Sequence, residues 1–435
     1  FNFTWGRLKN FFFFRWVCAT ARLGGVVAHQ TPHLLAVLTA NQVSNVLSGT
    51  QEVERALRSP IKAPLIEDVA APGEKVAIIT SDITRPCPSW LILPSILDRL
   101  YRGGVKKEDI TVIFALGSHR RHTLEEMKHL AGERAWEEVR CLDSDPEDCV
   151  CLGITSRGTP VDITREAAQA DKRICIGNIE YHYFAGFSGG AKAIMPGVSS
   201  RAAIQANHSR MIEPAARTGM LSGNPIREDI EEAGKICGID YIVNVILDEH
   251  KNIIHAVAGD VIEAHRAGCR YLDNLYRKEI KQKADIVLVS QGGAPKDLNL
   301  YQTQKALDNA AHAVRDGGII ILIGSCREGY GEKTFQRWVE EAEKPSDLIE
   351  RVKKGFQLGG HKAAAIAMVF EKADIFLVSE MEENLVRQCF LTPFSNVQEA
   401  YNEAVRRLGT EASVLAMPYG GSTLPYLKGE NMFAI

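Results

Sequence analysis

The chain has 435 residues, of which 45% are hydrophobic and 24% are charged, and its formal net charge at pH 7 is −3. This length exceeds what one ordinary hydrophobic core supports, so we expect two domains. The near-neutral charge argues against a nucleic-acid partner, and the lack of an apolar run of about 18 residues argues against a membrane span. The 10 cysteines are scattered without a CxxC pair, which predicts a reducing, cytoplasmic location.

Apolar runs rich in β-branched residues alternate with helical patterns along the chain. The runs predicted as strands are 75–81, 110–117, 173–178, 284–291, 318–325 and 373–380. A helix is predicted to begin near Thr123. Continuous apolar runs separated by helices indicate parallel sheets that are covered on both faces. The predicted fold class is therefore α/β, with two α/β domains whose sheets are mainly parallel.

A charged helical stretch after residue 266 predicts the boundary between the domains. We expect residues 1–267 to form the N-terminal domain, which residues 419–435 complete, and residues 283–405 to form the C-terminal domain. Segments 268–282 and 406–418 are then the two hinges. The active site is expected in the cleft between the domains, where ligands commonly bind.

Polar loops follow three strands of the first domain. They carry Asp82, Thr84 and Arg85 in SDITRP, His119 in GSHRRHT, and the stretch 179–208. Parallel strands present their carboxyl ends at one edge of the sheet, and ligands bind in the crevice there. We therefore expect the three loops to converge on one ligand site.

The first two loops each allow two interpretations. Arg85 can form a local ion pair with Asp82, but a carboxylate or phosphate ligand suits its planar fork better. His119 can act as a general acid/base, because the ordinary pKa of histidine suits proton exchange at neutral pH. It can equally be part of a polar turn. His122 is the weaker candidate, since Thr123 resembles the start of a helix.

The stretch 179–208 surrounds a glycine-rich turn with His182, Lys192 and His208. Glycines leave backbone N–H groups able to point at an anion, so Ser188, Gly189 and Gly190 are expected to form an anion-binding nest. Lys192 can bind phosphate or become a covalent attachment point. His208 is either a capping residue or a ligand of nickel, copper or zinc.

The GFSGG sequence of this turn also matches the nucleophile elbow of α/β-hydrolases, with Ser188 as the nucleophile. That motif needs a strand directly before the serine, and here residues 180–185 intervene after the strand, so the match is weak. In the second domain, Tyr301, Gln302 and Lys305 have the spacing of one helical face. They form either an exposed first turn or a substrate clamp.

Taken together, the pattern resembles the nickel-dependent lactate racemases and their 2-hydroxyacid racemase and epimerase relatives, from about Asn41 to the C-terminus. The segments that carry the resemblance are SDITRP, GSHRRHT, EYHYFAGFSGGAKAIMPG, ANHS, LYQTQK and MPYGGSTLP. Their order and spacing make the resemblance specific.

The resemblance implies a nickel-pincer nucleotide, nickel pyridinium-3,5-bisthiocarboxylic acid mononucleotide, attached covalently at Lys192. It implies His208 as the protein ligand of nickel, and His119 and His182 as the paired acid/base residues. It further implies cofactor or substrate contacts from the positions Asp82, Thr84, Arg85, Ser188, Gly189 and Gly190, and substrate contacts from Arg85, Tyr301, Gln302 and Lys305.

The implied reaction inverts the Cα centre of a 2-hydroxyacid, lactate or a related acid, by reversible hydride transfer to the cofactor. The implied partners are this small-molecule substrate and the enzymes that synthesise the cofactor. Two alternatives stay open: a serine hydrolase that uses Ser188, and a non-catalytic phosphate- or nucleotide-binding protein.

Overall fold

The computed structural model describes residues 33–41, 47–248, 250–294 and 296–429, together with the backbone of three strands before residue 33. The described residues form two compact units. The N-terminal unit extends from residue 47 to Leu275, and the C-terminal unit comprises residues 33–41 and 276–429.

The described strands are β1 Thr4–Leu8, β2 Phe11–Trp16, β3 Gly25–Val27, β4 Leu34–Val37, β5 Val76–Ser81, β6 Ile110–Ala115, β7 Arg140–Asp143, β8 Cys149–Ile154, β9 Pro160–Thr164, β10 Lys172–Asn178, β11 Tyr181–His182, β12 Gly186–Phe187, β13 Tyr241–Leu247, β14 Ile253–Gly259, β15 Arg277–Ile280, β16 Ala284–Ser290, β17 Val314–Ile323, β18 Ala373–Val378, β19 Thr392–Phe394, β20 Val414–Met417 and β21 Leu424–Leu427.

The described helices are α1 Thr50–Arg58, α2 Ser89–Arg102, α3 Leu124–Glu138, α4 Arg165–Ala168, α5 Arg201–His208, α6 Pro225–Cys237, α7 Glu263–Tyr276, α8 Leu300–Ala310, α9 Lys333–Glu341, α10 Pro345–Lys354, α11 Gly360–Phe370, α12 Glu383–Gln388 and α13 Val397–Leu408. Short 3₁₀ helices occur at Ile66–Asp68, Lys107–Asp109, Gly190–Ala193 and Ser209–Ile212. Within the described part of the chain, no helix has the length and hydropathy to span a bilayer.

The N-terminal unit is built on a six-stranded sheet with the order β14-β13-β10-β5-β6-β7. All neighbours are parallel except β13 and β14. The apolar runs predicted as strands form its centre, because their side chains are buried on both faces; Ile78, Ile113 and Ile176 are at most 1% exposed. The predicted α/β class and mainly parallel sheets are confirmed.

The C-terminal unit contains a second six-stranded sheet, with the order β19-β18-β17-β16-β20-β4 and parallel pairing throughout. The predicted strands of the second domain are the central β16, β17 and β18. Their branched side chains pack with α13 into one apolar cluster around Ile286, Ile321 and Val397.

The boundaries in the structure differ from the expected ones at both ends of the chain. Strand β4 does not belong to the N-terminal domain; it pairs with β20 at the edge of the second sheet. The tail does not complete the N-terminal domain either, because β21 pairs with β15 in the C-terminal unit. Sheet edges recruit strands that are remote in sequence, which local patterns do not reveal. Residues 430–435 lie outside the described residues.

The two expected hinges are also regular structure. Segment 268–282 contains most of α7 and all of β15, and segment 406–418 contains the end of α13 and all of β20. The division between the units falls between Leu275 and Tyr276. The charges after residue 266 are divided between α7, an amphipathic helix that buries Cys269 and Leu272, and the β15 region that follows it, so they do not mark a separate linker.

Candidate functional site

The three polar loops follow three adjacent strands. Strand β5 lies between β10 and β6 and is parallel to both, so the segments after Ser81, Ala115 and Asn178 leave the sheet at the same edge. The sequence predicted this convergence. A hydrogen bond between Asp82 of the first loop and His119 of the second shows that these two loops meet.

Asp82 and His119 form a hydrogen-bonded pair at this edge. Nδ1 of His119 lies 2.8 Å from Oδ2 of Asp82, whose side chain is 3% exposed, whereas the His119 side chain is 32% exposed. The Thr84 hydroxyl donates to the same carboxylate at 2.9 and 3.0 Å. A carboxylate only accepts, so Nδ1 of His119 carries a hydrogen, and in the neutral ring the lone pair is on Nε2.

The charge state of Asp82 follows from the same contacts. Burial by itself raises the pKa of the Asp82 carboxyl, but the hydrogen bond and charge of His119, the charge of Arg85 and the Thr84 hydroxyl outweigh burial. The pKa of Asp82 is therefore held below its ordinary value. An ionised Asp82 fixes the ring of His119, as a carboxylate does in a catalytic triad.

Arg85 is exposed beside this pair. Its backbone N–H donates to the Asp82 carbonyl at 3.1 Å, but its guanidinium forms no ion pair with the described residues. This arrangement favours the anion-binding interpretation of Arg85 over a local ion pair with Asp82. A planar guanidinium at a strand end suits a carboxylate or a phosphate.

The side chain of His122 is buried and contacts other groups than Asp82. Its side chain is 1% exposed, and Nδ1 lies 2.5 Å from Oδ1 of Asp143, which ends β7. Its Nε2 accepts the backbone N–H of Ile83 at 3.0 Å. The predicted helix start is confirmed, because Thr123 and Glu126 form a reciprocal capping box at the beginning of α3.

The glycine-rich turn departs from the predicted anion nest. The backbone N–H of Ser188 donates to the Glu180 carbonyl at 2.8 Å, and that of Gly190 donates to Oδ1 of Asn244 at 2.7 Å. These two donors are thus occupied within the protein. The partner of Gly190 comes from β13, far along the chain, so the local sequence did not reveal it.

Backbone geometry explains why glycines stand in this turn. Gly189 and Gly190 have φ of 75° and 59°, which side chains rarely adopt. A Cβ on Gly189 would lie 2.7 Å from Oδ1 of Asn244, and one on Gly190 would lie 2.9 Å from Cγ of His265. The glycines therefore permit close packing of the turn.

The hydroxyl of Ser188 is occupied by the main chain. It donates to the Asn178 carbonyl at 2.7 Å and accepts the backbone N–H of Glu180 at 2.9 Å. The neighbouring His265 contacts the Ser188 carbonyl at 2.8 Å, not the hydroxyl. Burial and the charge of Arg227 hold the pKa of His265 well below its ordinary value. This geometry does not activate Ser188 as a nucleophile.

His182 lies on the hairpin that β11 and β12 form, opposite Gly186. Its Nδ1 accepts the backbone N–H of Ala185 at 3.3 Å, so in the neutral ring the hydrogen is on Nε2. Arg227 is completely buried under this hairpin and donates to the carbonyls of Ala185 and Phe187. Arg227 thus holds the hairpin that carries His182.

Lys192 follows the turn on the 3₁₀ helix Gly190–Ala193 and is half-buried. Its backbone N–H bonds to the Gly189 carbonyl at 3.3 Å. Its charge is close enough to contribute to the lowered pKa of His265.

His208 ends α5 and is 7% exposed. Its Nδ1 lies 2.9 Å from Oδ1 of Asn207. The amide of Asn207 is oriented by Asp229, because Nδ2 donates to that carboxylate at 2.7 Å. Oδ1 of Asn207 therefore accepts from Nδ1–H of His208 and leaves the lone pair on Nε2, as metal-bound histidines require.

Asp229 is itself fully buried on α6. Besides Asn207 it accepts the hydroxyls of Thr155 at 2.5 Å and Thr159 at 2.7 Å. A buried carboxylate needs such donors to offset its desolvation. Sequence reasoning missed Asp229, and the ANHS motif points only to its partner Asn207.

Tyr301, Gln302 and Lys305 lie in the C-terminal unit, on the first turns of α8, and are half-buried. Sequence reasoning missed Lys362 on α11. Its Nζ donates to the Tyr301 carbonyl at 2.6 Å and lies 3.9 Å from the centre of the Tyr301 ring. The position of Tyr301 therefore depends on a second helix.

Comparisons with known proteins agree with this architecture. Residues 27–219 match the lactate racemase N-terminal domain, and residues 280–424 match the lactate racemase C-terminal domain. The chain is 34% identical over 388 residues to a lactate racemase of Thermoanaerobacterium thermosaccharolyticum, covering 87% of this chain and 91% of the relative. It is 33% identical over 386 residues to a lactate racemase of Lactiplantibacillus plantarum, covering 86% and 91% respectively.

Two solved structures share the fold. The lactate racemase apoprotein from T. thermosaccharolyticum superposes with a TM-score of 0.85 at 31% identity, covering 92% of this chain and 97% of that chain. A protein from Thermotoga maritima superposes with a TM-score of 0.66 at 19% identity, covering 89% and 100%. Because both domain matches and the relatives extend over most of the sequence, this chain belongs to the lactate racemase family and is an isomerase of the racemase class.

Proposed function

We propose that the chain interconverts the enantiomers of a 2-hydroxyacid, lactate or a related acid, with His119 and His182 as the paired acid/base residues. The observation that supports this most is the opposite state of the two imidazoles. Neutral His119 has its lone pair on Nε2, because Nδ1–H donates a hydrogen bond to Asp82. Neutral His182 has its hydrogen on Nε2, because Ala185 donates to Nδ1. Inversion needs a group that accepts the hydroxyl proton and a group that returns one. His119 can accept it at Nε2, and His182 can return a proton from Nε2 after its ring has become an imidazolium.

The proposed proton movements start at these atoms. For one enantiomer, Nε2 of His119 accepts the hydroxyl proton, and Asp82 stabilises the imidazolium that forms. For the other enantiomer we assign this role to His182 on the third loop; its Nε2 accepts the proton once the ring hydrogen is on Nδ1, which gives up the bond from Ala185. Arg85 binds the substrate carboxylate and orients it. We further propose that Tyr301, Gln302 and Lys305 contact the substrate.

The residues fit the nickel-pincer nucleotide as proposed cofactor. His208 offers an imidazole whose Nε2 has the lone pair, and a neutral imidazole suits nickel. Lys192 offers a confined amine for covalent attachment. The Ser188 and Gly190 backbone donors are already occupied, so we assign the phosphate to charged side chains of these loops and not to the glycine-rich turn. When bound, the cofactor supplies the hydride acceptor, which avoids the carbanion that an imidazole could not generate.

The test uses enzyme co-expressed with the enzymes that synthesise the cofactor. Racemisation is followed by chiral chromatography from single-enantiomer 2-hydroxyacids, and covalent loading is followed by intact-mass spectrometry with metal analysis. We expect wild-type protein to carry a nickel-containing adduct and to racemise a 2-hydroxyacid. Lys192→Ala should lack the adduct, and His208→Ala should hold less nickel.

Ser188→Ala separates this proposal from the hydrolase alternative. Because the Ser188 hydroxyl bonds to main-chain atoms, its loss should reduce stability while measurable racemisation persists. If Ser188→Ala abolished an esterase activity that Lys192→Ala retained, the hydrolase alternative would be favoured. Full racemase activity in a Lys192→Ala/His208→Ala double variant would refute the proposed cofactor site.

A further inference from the structure

We propose that His122 and Asp143 form a buried latch that positions the Asp82 loop and, through Asp82, the ring of His119. This inference deepens the proposed function, on which the role of His119 rests. His122 and Asp143 are assigned here as positioning residues: neither needs to contact substrate or cofactor. They act by fixing the backbone next to the carboxylate that holds the acid/base histidine.

The latch joins three elements through short contacts. Asp143, at the end of β7, accepts Nδ1–H of His122 at 2.5 Å and the backbone N–H of His122 at 2.8 Å. Nε2 of His122 accepts the backbone N–H of Ile83 at 3.0 Å. The side chains of His122 and Asp143 are 1% and 6% exposed. An imidazole that donates through one nitrogen and accepts through the other is fully satisfied and has one defined tautomer.

The position of Ile83 gives the latch its effect. Ile83 stands between Asp82 and Thr84, whose side chains together contact His119. The loop has little other backbone support; its internal bond is that from Arg85 N–H to the Asp82 carbonyl. Anchoring the Ile83 amide therefore fixes the direction in which the Asp82 carboxylate leaves the chain.

Charged and aromatic groups surround the His122 ring. Asp143 on β7 and Glu126 on α3 are the acidic groups around it, and Glu126 is paired with Arg120 at 2.7 Å. The Phe114 ring of β6 meets His122 edge-on at 5.7 Å between centroids. Protonation of Nε2 would remove the acceptor for Ile83 and release the loop.

The first test measures the tautomer of His122 by NMR with isotopically labelled histidine, in the full chain. The signals of His122 and His119 are assigned by comparing wild-type spectra with those of His122→Phe and His119→Asn. We expect His122 to be neutral with its hydrogen on Nδ1. In Asp143→Asn this signal should shift, and in His122→Phe the His119 signal should lose its fixed Nδ1–H state. A wild-type His122 with its hydrogen on Nε2 would overturn the latch, because Nε2 could not accept from Ile83.

The second test is a double-mutant cycle on kcat in the cofactor-loaded enzyme. A small displacement of a catalytic group can cost about 100-fold, so we expect His122→Phe to lower kcat by on the order of 10-fold to 100-fold, with a smaller change in KM. In an Asp82→Asn background the same substitution should cost less than about 3-fold, because the carboxylate it positions is already neutral. Equal costs in both backgrounds would overturn the proposal.

Controls separate positioning from general damage. His129→Phe changes an exposed histidine of α3 whose ring lies tilted against Trp90, 4.9 Å between centroids, and it should leave kcat and the His119 signal unchanged. His122→Gln offers an acceptor to Ile83 and should recover part of the activity. If the wild-type enzyme racemises no 2-hydroxyacid, the proposed function fails, while the tautomer measurement still decides the latch.

Discussion

Replacing Asp229 with Asn should loosen the support of His208 while the fold persists. Asp229 is fully buried and accepts hydrogen bonds from Thr155, Thr159 and Asn207. An amide keeps the shape of the carboxylate but turns one acceptor into a donor and removes the charge. Asn207 then bonds to a neutral and weaker acceptor, so its amide, and with it the tautomer of His208, is held less firmly.

The magnitude follows from the charge of the acceptor. Hydrogen bonds to charged groups contribute about 1.5–3 kcal/mol each, against about 0.5–1.5 kcal/mol for neutral ones. Two bonds, from Thr159 and Asn207, end on one oxygen of Asp229 and become neutral. The desolvation relief on removing the charge offsets part of this loss, so we expect a net destabilisation of about 2 kcal/mol.

The assay is amide hydrogen exchange of α5 and α6 in the full chain, which reports local opening free energies. Glu232→Gln is the matched control: Glu232 lies on the same helix and bonds to Ser156, next to Thr155, but at the exposed surface. Glu232→Gln should change the exchange rates of α5 and α6 by less than half as much as Asp229→Asn does. Unchanged exchange in Asp229→Asn, with an unchanged His208 signal by NMR, would refute the supporting role of Asp229.

Two further predictions concern the acid/base histidines. The pKa of Asp82 is lower in the folded state than its ordinary value of about 3.9, so folding releases protons from this group and its contribution to stability is present above that value. The contribution is lost as the pH falls through the lower folded pKa, so urea midpoints of wild-type protein and Asp82→Asn should converge below about pH 4; a constant difference would contradict this. Arg227→Met removes the buried guanidinium that donates to the Ala185 and Phe187 carbonyls of the His182 hairpin and should speed exchange at 181–190, whereas the exposed Arg201→Met should not.

The sequence predicted the parts of the fold that local patterns determine. Apolar runs and their flanking turns placed the central strands, and parallel pairing brought three polar loops to one edge. Strand β4 could not be placed, because its partner β20 is remote in the chain and a short apolar run does not specify its sheet. The tail was misplaced for the same reason, since β21 pairs with β15.

The sequence indicated which residues belong to the candidate site, but it did not indicate the hydrogen bonds that orient them. His119 and His208 were identified from their motifs, but Asp143 and Asp229, which set imidazole tautomers, lie on other elements. The reasoning behind the predicted anion nest was partly correct: the glycines do allow the backbone to approach another group closely. The group that approaches is part of the protein and not a bound anion. Asn244 on β13 takes one of those N–H groups, and such long-range partners become visible only in the folded chain.

Isotope retention tests the central claim most directly. The matured enzyme is incubated in ordinary water with one enantiomer of lactate, or of another active 2-hydroxyacid, that carries deuterium at Cα, and the opposite enantiomer is isolated and analysed by mass spectrometry. Because we propose that the hydrogen leaves and returns as hydride while His119 and His182 exchange only the hydroxyl proton, the inverted product should keep its deuterium. Replacement of that deuterium by solvent hydrogen would mean that a side chain removes the Cα proton, and the proposed roles of the two histidines would be wrong.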